Sequence, residues 1–96
     1  MRLWQIVVPS FDNMGLPYRS DAFLSRLIDD YGGYTVIPGT SGAWRDDAGK
    51  LYQDRSLLVQ FMGSNPGPAK LAFSQCFPDQ KALALASIGD MEIITL

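Results

Sequence analysis

Ser56-Leu57-Leu58-Val59-Gln60-Phe61-Met62 is an apolar run broken once, by Gln60, and it stops at Gly63-Ser64-Asn65-Pro66-Gly67-Pro68, a cluster of chain-turning residues. Leu3-Trp4-Gln5-Ile6-Val7-Val8 is its counterpart, broken once by Gln5 and closed by Pro9. Near-continuous apolar runs of this length read as strands buried at the centre of a sheet. Between them, Ser10 to Pro17 carries Asp12, Asn13, Gly15 and Pro17 at close spacing and reads as a loop. Ser20 is a candidate N-cap whose side chain accepts from a free amide of the next turn, and Asp21 suits the positive helix end. Phe23, Leu24, Leu27, Ile28 and Tyr31 then recur at helical spacing, so a helix is predicted over Ser20 to Tyr31, ended by Gly32-Gly33.

Tyr34 to Ile37 is a short second strand stopped by Pro38-Gly39. Asp46-Asp47-Ala48-Gly49 is a turn signal between Ala43-Trp44-Arg45 and Leu51-Tyr52, which predicts a hairpin extension projecting from the sheet. Beyond the Ser56 run, Ser64 or Asn65 can cap a second helix whose apolar face is Ala69, Ala72, Phe73, Cys76 and Phe77, with Pro78 ending it. Ala82-Leu83-Ala84-Leu85-Ala86 reads as a fourth strand, Gly89-Asp90 as a hairpin turn and Met91 to Leu96 as a final strand. The expected fold is therefore a single α+β domain over 1–96. It is a ferredoxin-like β-α-β-β-α-β sandwich with a C-terminal hairpin strand and an antiparallel sheet with both helices on one face. The two most apolar strands, the first and third, are expected at its centre as parallel neighbours.

Composition narrows the chemistry. Of 96 residues, 47% are apolar and 19% charged, and eight basic against ten acidic side chains leave a net charge of −2, the profile of a soluble globule. No apolar run is long enough to cross a bilayer and no signal peptide is evident, so a cytoplasmic protein is expected. There is no basic footprint for nucleic acid or anionic membrane. With no histidine and one cysteine, the chain lacks a Cys/His zinc site, an internal disulfide and any histidine-based triad. No cofactor, metal site or catalytic residue is expected.

Gly33-Tyr34-Thr35-Val36-Ile37-Pro38-Gly39-Thr40-Ser41-Gly42-Ala43-Trp44-Arg45, with Ala48-Gly49-Lys50-Leu51, Asp54-Arg55-Ser56 and the later Phe77-x-x-Gln80 step, resembles a domain family of unknown function found in small bacterial and phage proteins. That pattern has a Gly-x-Thr strand, Gly-x-Trp, a glycine turn, an acidic residue and a further strand, and the resemblance spans about residues 20 to 96. The resemblance implies a ferredoxin-like fold. It brings no catalytic residues, and it implies a phage-encoded accessory role such as inhibiting a host defence. The chain departs from the pattern in a shorter second helix and in Pro78-Asp79 between Phe77 and Gln80.

Two surfaces are candidate sites. Trp44, Arg45, Tyr52 and Arg55 bring two large amphipathic rings and two guanidinium groups to the hairpin, the residue types that dominate interface energetics. They could bind a protein or a small anionic ligand, or Trp44 and Tyr52 could simply pair across the strands. Period-two alternation places Leu3, Gln5, Val7, Leu58, Gln60 and Met62 on the sheet face away from the helices, with Ala82, Ala84 and Ala86 as candidate neighbours. A surface so apolar calls for a cover, and a homodimer or higher oligomer of this chain would supply one. Cys76, on the apolar stripe of the second helix, reads as structural. Asp29-Asp30, Asp46-Asp47 and Asp54 read as solvated carboxylates, and Gly39-Thr40-Ser41-Gly42 as a plain loop. A binding protein is the leading reading. The alternative is a small-molecule enzyme of the dimeric α/β-barrel type.

Overall fold

The computed structural model describes residues 1–96, the side chain of Asp54 excepted. Strand β1 (Arg2–Pro9) leads through a loop to helix α1 (Asp21–Tyr31). Strands β2 (Thr35–Arg45) and β3 (Leu51–Gly63) form a long hairpin, followed by helix α2 (Gly67–Cys76) and strand β4 (Leu85–Asp90). The sheet order is β2-β3-β1-β4, with β1 and β3 central and every pairing antiparallel. This is the ferredoxin-like topology.

The central pair corrects one expectation: β1 and β3 run antiparallel, with Arg2 opposite Gly63 and Pro9 opposite Ser56. The reason is topological. The α1 crossover returns the chain so that β2 runs with β1, and the tight β2–β3 turn then reverses β3 against both.

The hairpin is not a separate appendage. Strand β2 runs on through Pro38-Gly39, where the pairing with β3 slips between Ile37 and Thr40. Gly39 has φ 71°, a left-handed conformation that lets one extra residue bulge out without ending the strand. At the tip, Asp46 holds the turn: its N–H donates to Lys50 O at 3.0 Å, its carboxylate accepts from Lys50 N at 2.9 Å, and Gly49 N donates to Asp46 O at 3.0 Å. This arm makes the molecule elongated, 50 × 24 × 23 Å.

The expected C-terminal hairpin is absent. Gly89 and Asp90 continue β4, opposite Leu3 and Arg2, and Met91 to Leu96 lie outside any strand. The fourth strand is Leu85–Asp90 rather than 82–86. Leu85 sits opposite Ile6 and packs on the core, and a pairing shift between Leu3 and Trp4 admits an extra residue before Gly89.

Ile6 and Val8 from β1 and Val59 and Phe61 from β3 pack against Phe23 and Leu27 of α1, Ala69, Ala72 and Phe73 of α2, and Phe77. Phe23, Phe73 and Phe77 form a mutual aromatic cluster with centroids 5.0–6.1 Å apart. Helix α2 approaches α1 more closely than it approaches any strand, and Phe23 and Leu27 of α1 with Phe73 of α2 supply the bulk of the helix layer. Gly32 N donates to Ile28 O at 2.8 Å and ends α1 as read. Ser20 departs from expectation, since its side chain makes no cap bond. The second helix starts after Pro66, with Asn65 Oδ1 accepting from Gly67 N at 2.9 Å.

Tyr31 ties the two helices together. Its hydroxyl donates to Asn65 O at 2.8 Å and accepts from Ala69 N at 3.1 Å, at the start of α2. Its ring lies 4.6 Å from Phe61 and covers Gly63, where a Cβ would stand 2.7 Å from Tyr31 Cδ1. Burial of the ring pushes the Tyr31 pKa above its ordinary 10.0, outweighing the lowering by the Ala69 amide, and the Asp30 charge adds to the rise.

Candidate functional site

The hairpin arm and the open sheet face share one side of β3. By the two-residue period, Tyr52, Ser56, Leu58, Gln60 and Met62 project to the face that the helices do not cover, because Leu57, Val59 and Phe61 pack on the core. Trp44 stands opposite Tyr52 and Thr40 opposite Ser56, so they join that side.

Along the face, Leu58 is flanked by Val7 and Ile37, and Gln60 by Gln5 and Thr35. Leu3 stands opposite Met62, and Ala86 opposite Gln5 on the far side. Leu3, Gln5, Val7, Leu58, Gln60 and Met62 are all half-buried by their neighbours. None of these positions carries a charge. Gln60 Nε2 donates to Gln5 Oε1 at 3.1 Å, so the two polar side chains at the centre satisfy each other in part.

At the arm, the Trp44 and Tyr52 rings stack 4.4 Å apart and 11° from parallel. Lys50 Nζ lies 5.0 Å from the Tyr52 ring centre, and the Tyr52 hydroxyl donates to Asp46 Oδ2 at 3.2 Å. Trp44 is 52% exposed nonetheless. Cross-strand pairing and an accessible aromatic surface coexist in the same two residues.

Trp44, Tyr52 and Arg55 line a half-open cleft of about 950 Å³ that also takes in Phe11, Asp79 and Lys81. Arg45 does not: its Nη1 donates to Gly49 O at 3.0 Å across the hairpin tip. The carboxylate of Asp54 lies outside the described residues.

The far wall of the cleft is a clasp that the sequence did not disclose. Asn13 N donates to Asp79 Oδ2 and Asn13 Nδ2 to Asp79 O, both at 2.9 Å, and Gln80 Nε2 donates to Asn13 Oδ1 and the Tyr18 hydroxyl at 3.3 Å. Asp12 Oδ1 accepts from Met14 N and Leu16 N at 2.8 Å, folding the loop after β1 back on itself. Asp12 and Asn13 are visible in the sequence as turn formers, but no local signal connects them to Asp79. Oδ1 of Asp79 is buried without a hydrogen-bond partner among the described residues.

Cys76 is half-buried and packs against the core, as its helical phase implied. Among the described residues, no group of three or more acidic, cysteine or histidine side chains is placed to hold a metal ion. No helix among them is long and apolar enough to cross a membrane.

No protein-family model matches the chain, and no curated protein does. Among solved structures it is similar to a divalent cation tolerance protein (CutA1) from Thermus thermophilus. The TM-score is 0.72 at 15% identity, over 97% of this chain and 86% of that one. A likeness at that identity shows the shared fold.

Proposed function

We propose that the chain is a non-catalytic binding protein that self-associates through its open sheet face and takes a protein or small anionic ligand at the hairpin end. The uncharged stretch from Leu3, Gln5 and Val7 across to Leu58, Gln60 and Met62 carries this reading. Charge is depleted at the core of protein interfaces, and a contiguous apolar face left to water is unusual in a monomer. A second copy is the occupant that fits, because the face offers glutamine and aliphatic groups that complement themselves and nothing that selects a charged partner.

Sedimentation of the wild type beside Val7→Lys and Leu58→Lys tests it. Wild-type oligomers that dissociate in both variants support the reading, since an unpaired ammonium in the contact loses its hydration. A wild type that is monomeric at micromolar concentration overturns it.

An enzymatic reading has one observation in its favour: the cleft holds Arg55 and Lys81 together with Asp12 and Asp79. What weighs toward binding is that Asp12 and Asp79 each accept backbone amides that shape the loop, which makes them structural carboxylates. The phage-encoded accessory role, blocking a host defence, rests on the Gly-x-Thr and Gly-x-Trp pattern. A defence-bearing host expressing the chain tests it, with restored phage growth as the expected outcome.

A further inference from the structure

Strand β1 ends at Pro9, opposite Ser56, whereas β3 reaches back to Leu51 at the tip of the arm. Residues 51–55 therefore pair with β2 on one edge and, among the described residues, with no strand on the other. The half-open cleft sits at this step in the sheet. Because it wraps a bare edge, it meets both faces of β3: Tyr52 reaches it from one side and Arg55 from the other.

The walls of the cleft are fixed before any ligand arrives. Ser10 N donates to Arg55 O and Tyr18 N to Ser10 O, both at 3.0 Å, which anchors the loop after β1 to the arm. Val7 N donates to Ala84 O at 3.2 Å and holds the other wall against β1. The clasp between Asn13 and Asp79 joins the two. Walls held in this way spare a ligand the entropy of ordering them.

We propose that this cleft binds a small planar aromatic carboxylate, which names the ligand class of the hairpin end and rests on the ligand half of the function proposed above. At about 950 Å³, lined largely by apolar and aromatic side chains with a few polar groups, it has the size and make-up of a small-molecule site. Its polar groups are unequal in what they have left to give. Asp12 Oδ1 accepts from Met14 N and Leu16 N, Asp79 Oδ2 accepts from Asn13 N, and Asp79 Oδ1 is buried, so both carboxylates are engaged with their own surroundings. The side chains of Arg55 and Lys81 are exposed and, among the described residues, make no hydrogen bond or ion pair. Unspent donors are what the cleft offers, and an acceptor-rich anion uses them.

Charge and shape select the anion. Among the described residues of the cleft, Asp12 and Asp79 balance Arg55 and Lys81, so a singly charged group is matched better than a phosphate dianion. No glycine lines the cleft to form the amide nest that cradles phosphate, whereas a planar guanidinium fork fits a planar carboxylate. Phe11 is 45% and Trp44 52% exposed, and both bring flat aromatic surface to the same cleft, which suits a flat ring as the body of the ligand.

The test titrates naphthalene-2-carboxylate, neutral naphthalene-2-carboxamide and inorganic phosphate into the ¹⁵N-labelled full chain. The carboxylate should shift the amides of Phe11, Tyr52, Arg55 and Lys81 along one saturating curve and bind at least about tenfold tighter than the carboxamide. Arg55→Gln should weaken it about tenfold, as loss of a charge-assisted bond implies, while Leu58→Lys on the open face leaves it unchanged. If Arg55→Gln loses its dispersed spectrum, Lys81→Gln and the wild-type ratio of carboxylate to carboxamide decide in its place. Equal affinity for carboxylate and carboxamide, or a curve that responds to Leu58→Lys and not to Arg55→Gln, overturns the inference. Phosphate saturating the same amides as tightly as the carboxylate overturns the aromatic carboxylate and leaves the broader anionic-ligand reading standing. No saturation of these amides by either anion at millimolar concentration overturns both. Self-association is read separately by sedimentation, so oligomers without cleft binding sink only the ligand half.

Discussion

The two faces of β1 and β3 are built from alternate residues of the same strands, yet they end in different states. Ile6, Val8 and Val59 are fully buried beneath α1 and α2, while Val7, Leu58 and Met62, one residue away, remain half-exposed. Side-chain chemistry is nearly the same on both faces, so the difference lies in what covers them. On the covered side burial is supplied by the two helices together with Phe77, Tyr18 and Leu83, and among the described residues no further layer covers the opposite side. An apolar residue is thus a statement about an environment that another molecule can provide.

The sharpest way to break this comparison is a matched pair of truncations. Phe61→Ala should lower unfolding free energy by about 3–5 kcal/mol, because it removes a buried ring and leaves a cavity under Tyr31. Leu58→Ala should cost only about 1 kcal/mol in dilute protein, where its face is still wet. Urea titrations read both, and equal losses would mean that the faces are energetically alike.

Next in size is Gly63→Ala. The added methyl would lie against the Tyr31 ring, which is already held between Phe61 and the start of α2, so about 1–3 kcal/mol should be lost. An unchanged midpoint would mean that Tyr31 moves freely. Cys76→Ala should cost about 1 kcal/mol as a small truncation at the core margin, with any ligand affinity preserved. Rapid native-state maleimide labelling would contradict a packed thiol.

Trp44→Ala sharpens the contrast between body and arm. Cross-strand pairs contribute about 0.2–1 kcal/mol, so thermal stability should change little. Affinity for a bound partner should fall by about 2 kcal/mol or more if the ring is an anchor. Global unfolding would instead make Trp44 part of the fold's foundation. The smallest effect is at high pH. Since the folded-state pKa of Tyr31 is raised, its contribution is intact below 10.0 and is lost as pH climbs through the folded value. The stability difference between wild type and Tyr31→Phe should therefore narrow above pH 10.0, as read by denaturant titrations at several pH values.

What could be read in advance followed local physics. The Ser56–Met62 and Leu3–Val8 runs, the Phe23–Leu27–Tyr31 stripe and the Asp46–Gly49 turn announce their elements through spacing alone. Even the choice of face is legible, because Ile6, Val8, Val59 and Phe61 fall on one parity. The Ala82–Ala86 stretch is not legible in the same way: alternating alanine and leucine fits a strand starting at 82 or at 85, and only pairing with Ile6 decides. Pro38-Gly39 looks like a stop and is a bulge, since the long neighbouring β3 keeps the strand going. The clasp between Asn13 and Asp79 joins positions 66 residues apart, and Arg45 faces its own turn rather than the cleft. Such choices depend on the assembled chain.

Strand β1 precedes both of its partners by a long interval. Its neighbours are residues 56–63 and 85–90, so β1 is paired on both edges only after residue 90 has joined the sheet. The β2–β3 hairpin, by contrast, closes over a short turn and needs nothing beyond residue 63. During synthesis, an apolar Leu3–Val8 would therefore wait unpaired until β3 has been made, and its second edge would wait further for β4. Loop closure of that length slows folding, so the refolding rate should follow β1 docking and respond more to Ile6 than to Trp44.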